Sequence, residues 1–168
     1  MRFRTNDLVT AAVLLAIGII LPMVIHISGI NGAVFLPMHI PVLVSGLILG
    51  SSLGLIVGII SPILNHTLTG MPPIPILWIM LVELAVYGLI SGYLYRRIKM
   101  TLLPALISSM VLGRIAAALT VLVLGSAFSL PMPPLDIYIK GITITALPGI
   151  IIQILLIPPI VKAYERNR

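Results

Sequence analysis

The chain has 168 residues, 60% of them hydrophobic and 8% charged, with a mean hydropathy of +1.23, whereas a soluble domain carries about 25% charged residues. A water-facing globule is therefore excluded and an integral membrane protein is implied. Cysteine is absent, which removes disulfide frameworks, thiolate metal sites and cysteine nucleophiles, and the net charge of +6 must be located along the chain before it is read as anything.

Apolar runs, judged against the roughly 20 residues that cross a bilayer core, fall at Leu8 to Ile27, Val34 to Leu64, Ile74 to Tyr95, Thr101 to Phe128 and Ile137 to Val161. The first carries on through Pro22 to Ile25 without a small-residue cleavage site, so it reads as a retained helix rather than a signal peptide. Ala12 and Ala16, four apart on it, share a face that another helix can approach closely. As one helix the second run would be about 46 Å long, half as long again as the core, and Gly50, Ser51, Ser52 and Gly54 interrupt its middle.

Eight of the ten basic residues decide the count: Arg2 and Arg4, then Arg96, Arg97 and Lys99, then Lys162, Arg166 and Arg168. Positive clusters mark the cytoplasm, and all three share one side only if the second run crosses twice, through a hairpin at Gly50 to Gly54. The expectation is one all-α membrane domain of six transmembrane helices, at about 8–27, 34–50, 52–66, 75–95, 101–127 and 138–162, with both termini cytoplasmic. The glycines Gly46, Gly50, Gly54 and Gly58, and Gly88 with Gly92, repeat the small-residue spacing and read mainly as tight internal packing.

That topology leaves 26–36, 67–76 and 126–140 outside. Thr69 to Pro75 and Leu130 to Asp136 are proline-rich, which fixes φ and leaves little entropy to lose on closing over a ligand, so they read as semi-rigid lids. Asn31, His39, Asn65, His66 and Thr67 stand beside them at the helix mouths. Deeper, at about 10 to 20 Å by helical rise, come Glu83, Tyr87, Arg114 and Gln153, and polar groups inside a membrane are functional candidates by default. They suit either a pocket open to the outside or an architectural Glu83 to Arg114 ion pair.

Catalytic patterns are missing. The sequence has no Gly-x-Ser-x-Gly elbow, no His-Glu-x-x-His helix and no Gly-x-x-x-x-Gly-Lys phosphate loop, and neither a metal nor a cofactor is expected. A secondary transporter would show inverted repeats, and no convincing repeat is present. What the residues describe is a small outward-facing binding bundle with no engine.

The Ala12-x-x-x-Ala16 pair, the run Leu36-Pro-Met-His-Ile-Pro41, the stretch Gly50 to Pro73 and the run Glu83-Leu-Ala-Val-Tyr-Gly88 together resemble the substrate-capture (S) subunits of energy-coupling-factor (ECF) vitamin transporters, over essentially the whole chain. The resemblance implies a multi-pass subunit of a prokaryotic cell membrane that binds a vitamin. It also implies docking on a transmembrane coupling subunit with two ATPase subunits, which hydrolyse the ATP, with Ala12 and Ala16 against the coupling subunit. The substrate site is then expected on the outer side, with Asn31, His39, Asn65, His66, Trp78, Glu83, Tyr87, Arg114 and Gln153 as its candidates. Few aromatics disfavour a large flat ligand. Arg114 with a histidine suits the carboxylate of pantothenate, while Glu83 with Tyr87 and Trp78 suits pyridoxine or a hydroxymethylpyrimidine. The alternative is a structural or assembly subunit of a membrane complex without a ligand; nucleic acid is not an expected partner.

Overall fold

The structure, a computed structural model, describes residues 3–29, 32–128, 130 and 132–166. Among them every regular element is a helix. The long apolar helices are α1 (Thr5–Ile27), α4 (Ser51–Thr69), α5 (Ile76–Gly92, continued by a π-helical turn Tyr93–Arg97), α6 (Leu102–Ser126) and α8 (Leu147–Arg166). Each is long and apolar enough to cross a membrane. Between them lie two short helices, α2 (Gly32–Phe35) and α7 (Leu135–Lys140), and the 11-residue α3 (His39–Leu49).

The segment expected as a single helix over 34–50 is broken. Pro37 disfavours helical geometry at the residue before it, and Leu36 takes a left-handed φ of 50°, so α2 ends at Phe35 and a fresh helix starts at His39. Pro41 falls in the first turn of α3, where its missing N–H costs nothing. The segment expected over 138–162 is likewise divided: α7 runs into a π-helical turn, Gly141–Thr145, and α8 starts at Leu147 with Pro148 in its first turn.

α3 is the axis of the bundle. It packs against α1, α4, α5 and α8, and its residues from Pro41 to Ile48 are all buried. A helix enclosed all round has no polar face to show, which is why its sequence is apolar apart from the buried His39 and Ser45. The chain reverses at Gly50 (φ 92°) and re-enters as α4. A helix can lie this close to its neighbours only where side chains vanish: a Cβ on Gly54 would stand 2.7 Å from Gly46 Cα and 2.3 Å from Gly88 O, and one on Gly58 would stand 2.3 Å from Leu84 O. The glycine stripes thus form the α3–α4–α5 interior by backbone against backbone. Outside, large apolar side chains such as Val13, Ile20, Ile107, Val111, Leu119 and Leu155 stand exposed around the bundle, as a lipid-facing surface requires.

Candidate functional site: a cavity at one end of the bundle

A cavity of about 640 Å³ opens at one end of the helices, within the range that holds small-molecule ligands. Its walls come from the C-terminal ends of α1 (Pro22 to Ile27) and α4 (Asn65, Leu68, Thr69), and from the N-terminal ends of α3 (Met38, His39) and α5 (Ile76, Met80, Glu83). The loop after α4 adds Met71, Pro72 and Pro73, and the segment 133–146 closes the far side with Pro133, Tyr138 and Thr145. Both proline-rich strings therefore wall the cavity. At the opposite end Tyr95 on the π turn after α5 donates to Glu165 of α8 (3.0 Å), and Arg96 donates to the Ile48 carbonyl near the end of α3. Thr101 and Leu102 at the start of α6 share a cleft there with Lys162.

The polar groups arise from identifiable features of the sequence. In α1, Pro22 has no N–H for the Gly18 carbonyl four residues before it, and Asn65 Nδ2 supplies the missing donor at 2.9 Å while also donating to the Ser61 carbonyl at 2.9 Å. Two carbonyl partners fix which amide atom is nitrogen, so Asn65 Oδ1 is left buried without a hydrogen bond among the described residues, on the cavity wall. On α6, Gly113 leaves the space for the ring of Tyr87, whose Cδ1 would lie 2.0 Å from a Cβ there. The ring so seated reaches Glu83, one turn away on α5, and donates to its Oε1 at 3.1 Å. His39 caps the cluster, with Nε2 3.7 Å from the same carboxylate oxygen and its ring edge-on to that of Tyr87 at 5.4 Å between centroids.

Arg114, next to Gly113 on α6, lines the cavity beside that cluster. It lies within electrostatic reach of Glu83, but the one ion pair within 4.0 Å recorded for Glu83 is with His39. Its buried Nη2 has no hydrogen-bond partner among the described residues. Among the described residues the architectural pair of Glu83 with Arg114 is therefore not formed within 4.0 Å: Tyr87 donates to the carboxylate and His39 stands 3.7 Å from it.

Of the residues expected at the site, His39, Asn65, Glu83 and Arg114 line the cavity, and Tyr87, fully buried, touches it only through Glu83. His66 stands behind the wall, its Nδ1 2.8 Å from the Pro72 carbonyl. Trp78 is 46% exposed on the outside of α5 and does not line the cavity. Gln153 is fully buried on α8 away from the cavity lining, with both amide atoms unpartnered among the described residues. Asn31 lies outside the described residues. Sequence reasoning missed Thr69, Thr145, His26 and the enabling Gly113. Tyr138 also lines the cavity, and nothing in the sequence turned it inward.

Ala12 and Ala16 are exposed on α1, whose buried side is carried by Ala11, Leu14 and Gly18. The profile of the family described as ECF transporter, substrate-specific component, matches residues 6–161. This chain belongs to that family. No curated protein and no solved structure matches it significantly. The family supplies what the fold lacks: an S component is a transport subunit that works with an ECF module rather than an enzyme in itself, and the chain is a multi-pass membrane protein.

Proposed function

We propose that this S component captures a small water-soluble vitamin or vitamin precursor bearing a carboxylate, pantothenate being the best fit, and delivers it inward as part of an ATP-driven importer in a prokaryotic plasma membrane. The observation that carries this reading is Arg114, which lines the cavity and whose buried Nη2 has no hydrogen-bond partner among the described residues. A buried cation edge without a partner is costly, and a ligand carboxylate would meet it with charge-assisted hydrogen bonds. Asn65 Oδ1 and Thr69 then suit the hydroxyl and amide groups of such an acid. Pyridoxine and hydroxymethylpyrimidine are less well served, because Trp78 faces away and Tyr87 is sealed behind Glu83, leaving Tyr138 as the aromatic ring on the wall.

The topology that goes with this reading has six crossings with both termini cytoplasmic. Its support is that the chain comes to the cavity end at Ile27 and 32–39, again at 69–76 and a third time at 133–146, while Arg96, Arg97, Lys99, Lys162 and Arg166 belong to the other end. α3 alone spans only about 16 Å, so the second crossing is completed by α2 and the bend between them. The coupling subunit of the ECF module would dock on the exposed Ala12 and Ala16 face of α1.

Thermal unfolding in detergent against a vitamin panel tests the ligand, since a ligand at a hundred times its Kd adds about 2.7 kcal/mol. Pantothenate should raise Tm, and its analogue with the carboxylate reduced to an alcohol should not. A shift with pyridoxine or hydroxymethylpyrimidine instead would replace the acid by a ring-bearing ligand. No shift with any vitamin would favour the assembly-subunit reading.

A further inference from the structure

The segment from Gly70 to Pro75 lines the cavity through Met71, Pro72 and Pro73 and has few backbone N–H groups to give. Pro72, Pro73 and Pro75 have no N–H, and Met71 N spends its bond on Thr69 Oγ1 at 3.3 Å. Its ends are anchored: Gly70, in the left-handed conformation, donates to the His66 carbonyl at 2.8 Å, and the Pro73 and Pro75 carbonyls accept from Leu77 and Trp78 on the first turn of α5 at 3.1 Å each. Among the described residues the middle is held by one side-chain hydrogen bond, from His66, whose Nδ1 bonds the Pro72 carbonyl at 2.8 Å. A carbonyl can only accept, so that nitrogen carries the proton. His66 adjoins Asn65, which ties the same turn of α4 to Gly18 of α1. One helical turn therefore grips two walls of the cavity.

We infer that His66 is a positioning residue for ligand retention, latching the Gly70 to Pro75 strap over the cavity through the Pro72 carbonyl, and that breaking this bond is the step that lets the ligand leave. The inference rests on the cavity being the capture site. It assigns His66, which touches no ligand, control of the dissociation rate, while recognition stays with Arg114 and Asn65.

The test uses the absence of cysteine: spin labels on Ile27→Cys and Ile74→Cys, both at exposed positions, report the distance across the mouth in the unliganded protein. The parent should give a narrow distribution. His66→Leu should broaden and lengthen it, and His66→Asn, whose amide N–H overlays Nδ1, should restore it, whereas His66→Gln, which places its N–H farther out, should not. Radiolabelled pantothenate should leave the Leu and Gln variants about three to ten times faster than the parent and the Asn variant, with association nearly unchanged. Should His66→Leu fail to fold, the Asn and Gln variants carry the same comparison. Distributions identical in the parent and the variants overturn the latch whatever pantothenate does. Failure of the parent to bind pantothenate overturns the acid reading instead, and the distance measurement still decides the latch.

Discussion

At the residue scale, the separation of Glu83 from Arg114 changes what each is expected to do when replaced. Had they been buried partners, either single change would leave a lone charge at a cost of about 3–5 kcal/mol and the double change would restore stability. With Tyr87 and His39 at Glu83 and no hydrogen bond on the Arg114 Nη2 among the described residues, Arg114→Met should keep or raise Tm and lower pantothenate affinity about 10- to 100-fold, the worth of a charged hydrogen bond. Glu83→Gln should lower Tm and cost less affinity, and the double change should rescue neither. Thermal unfolding and equilibrium binding in detergent measure all three; a stabilised double variant would reinstate the pair, and a larger binding loss for Glu83→Gln would point to a neutral ring-bearing ligand. Asn65 allows a second double test. Asn65→Ala strands the Gly18 carbonyl and should cost about 1–3 kcal/mol. Pro22→Ala returns the helical N–H to that carbonyl, so the Asn65→Ala penalty should shrink in that background, and equal penalties in both would break the link between proline and asparagine.

At the scale of elements, the α3–α4–α5 interior is held by surfaces that have no side chains. A Cβ on Gly88 would stand 2.0 Å from the Gly54 carbonyl oxygen, a backbone atom that cannot rotate away, whereas on Gly125 it would meet only the flexible Met132 at 3.7 Å. Gly88→Ala should therefore lower Tm sharply, by overpacking of the kind that costs about 1–3 kcal/mol or more, and Gly125→Ala should leave it within a degree or so of the parent. Similar Tm values for the two would mean that α4 and α5 are not in backbone contact. α1 offers the opposite case. Its Ala12 and Ala16 face is open in the isolated chain, so Ala12→Trp or Ala16→Trp should spare ligand binding and abolish uptake by blocking close approach of the coupling subunit. Lost binding with normal co-purification of the module would contradict that assignment.

For the whole molecule, the proposed topology puts the cavity end and the basic end on opposite sides of the membrane. Cysteines introduced at Arg96 or Arg166 in this cysteine-free chain should resist a membrane-impermeant thiol reagent in intact cells, and one at Ile74 beside the cavity mouth should react. Labelling at position 96 would invert α5 and with it the six-crossing topology.

Hydropathy and charge placement alone were enough to read an all-helical membrane chain, because a bilayer demands long apolar runs and tolerates cations on one side. Gly50 was legible as the reversal for a related reason: it interrupts a run too long for one crossing, and its φ of 92° is one that a glycine adopts freely. Helical rise also put Glu83, Tyr87 and Arg114 at comparable depth. Rise says nothing of rotation, however, and rotation is set by packing between helices distant in sequence. The tertiary structure alone turned Trp78 outward and Gln153 off the cavity wall, brought Tyr87 and His39 to the carboxylate, and left the buried Arg114 Nη2 without a hydrogen bond among the described residues. It also broke 34–50 at Leu36 and brought His66 to the Pro72 carbonyl of the Thr69 to Pro75 string, since what a proline-rich segment leans on depends on which side chain, brought by the folded bundle, meets its carbonyls.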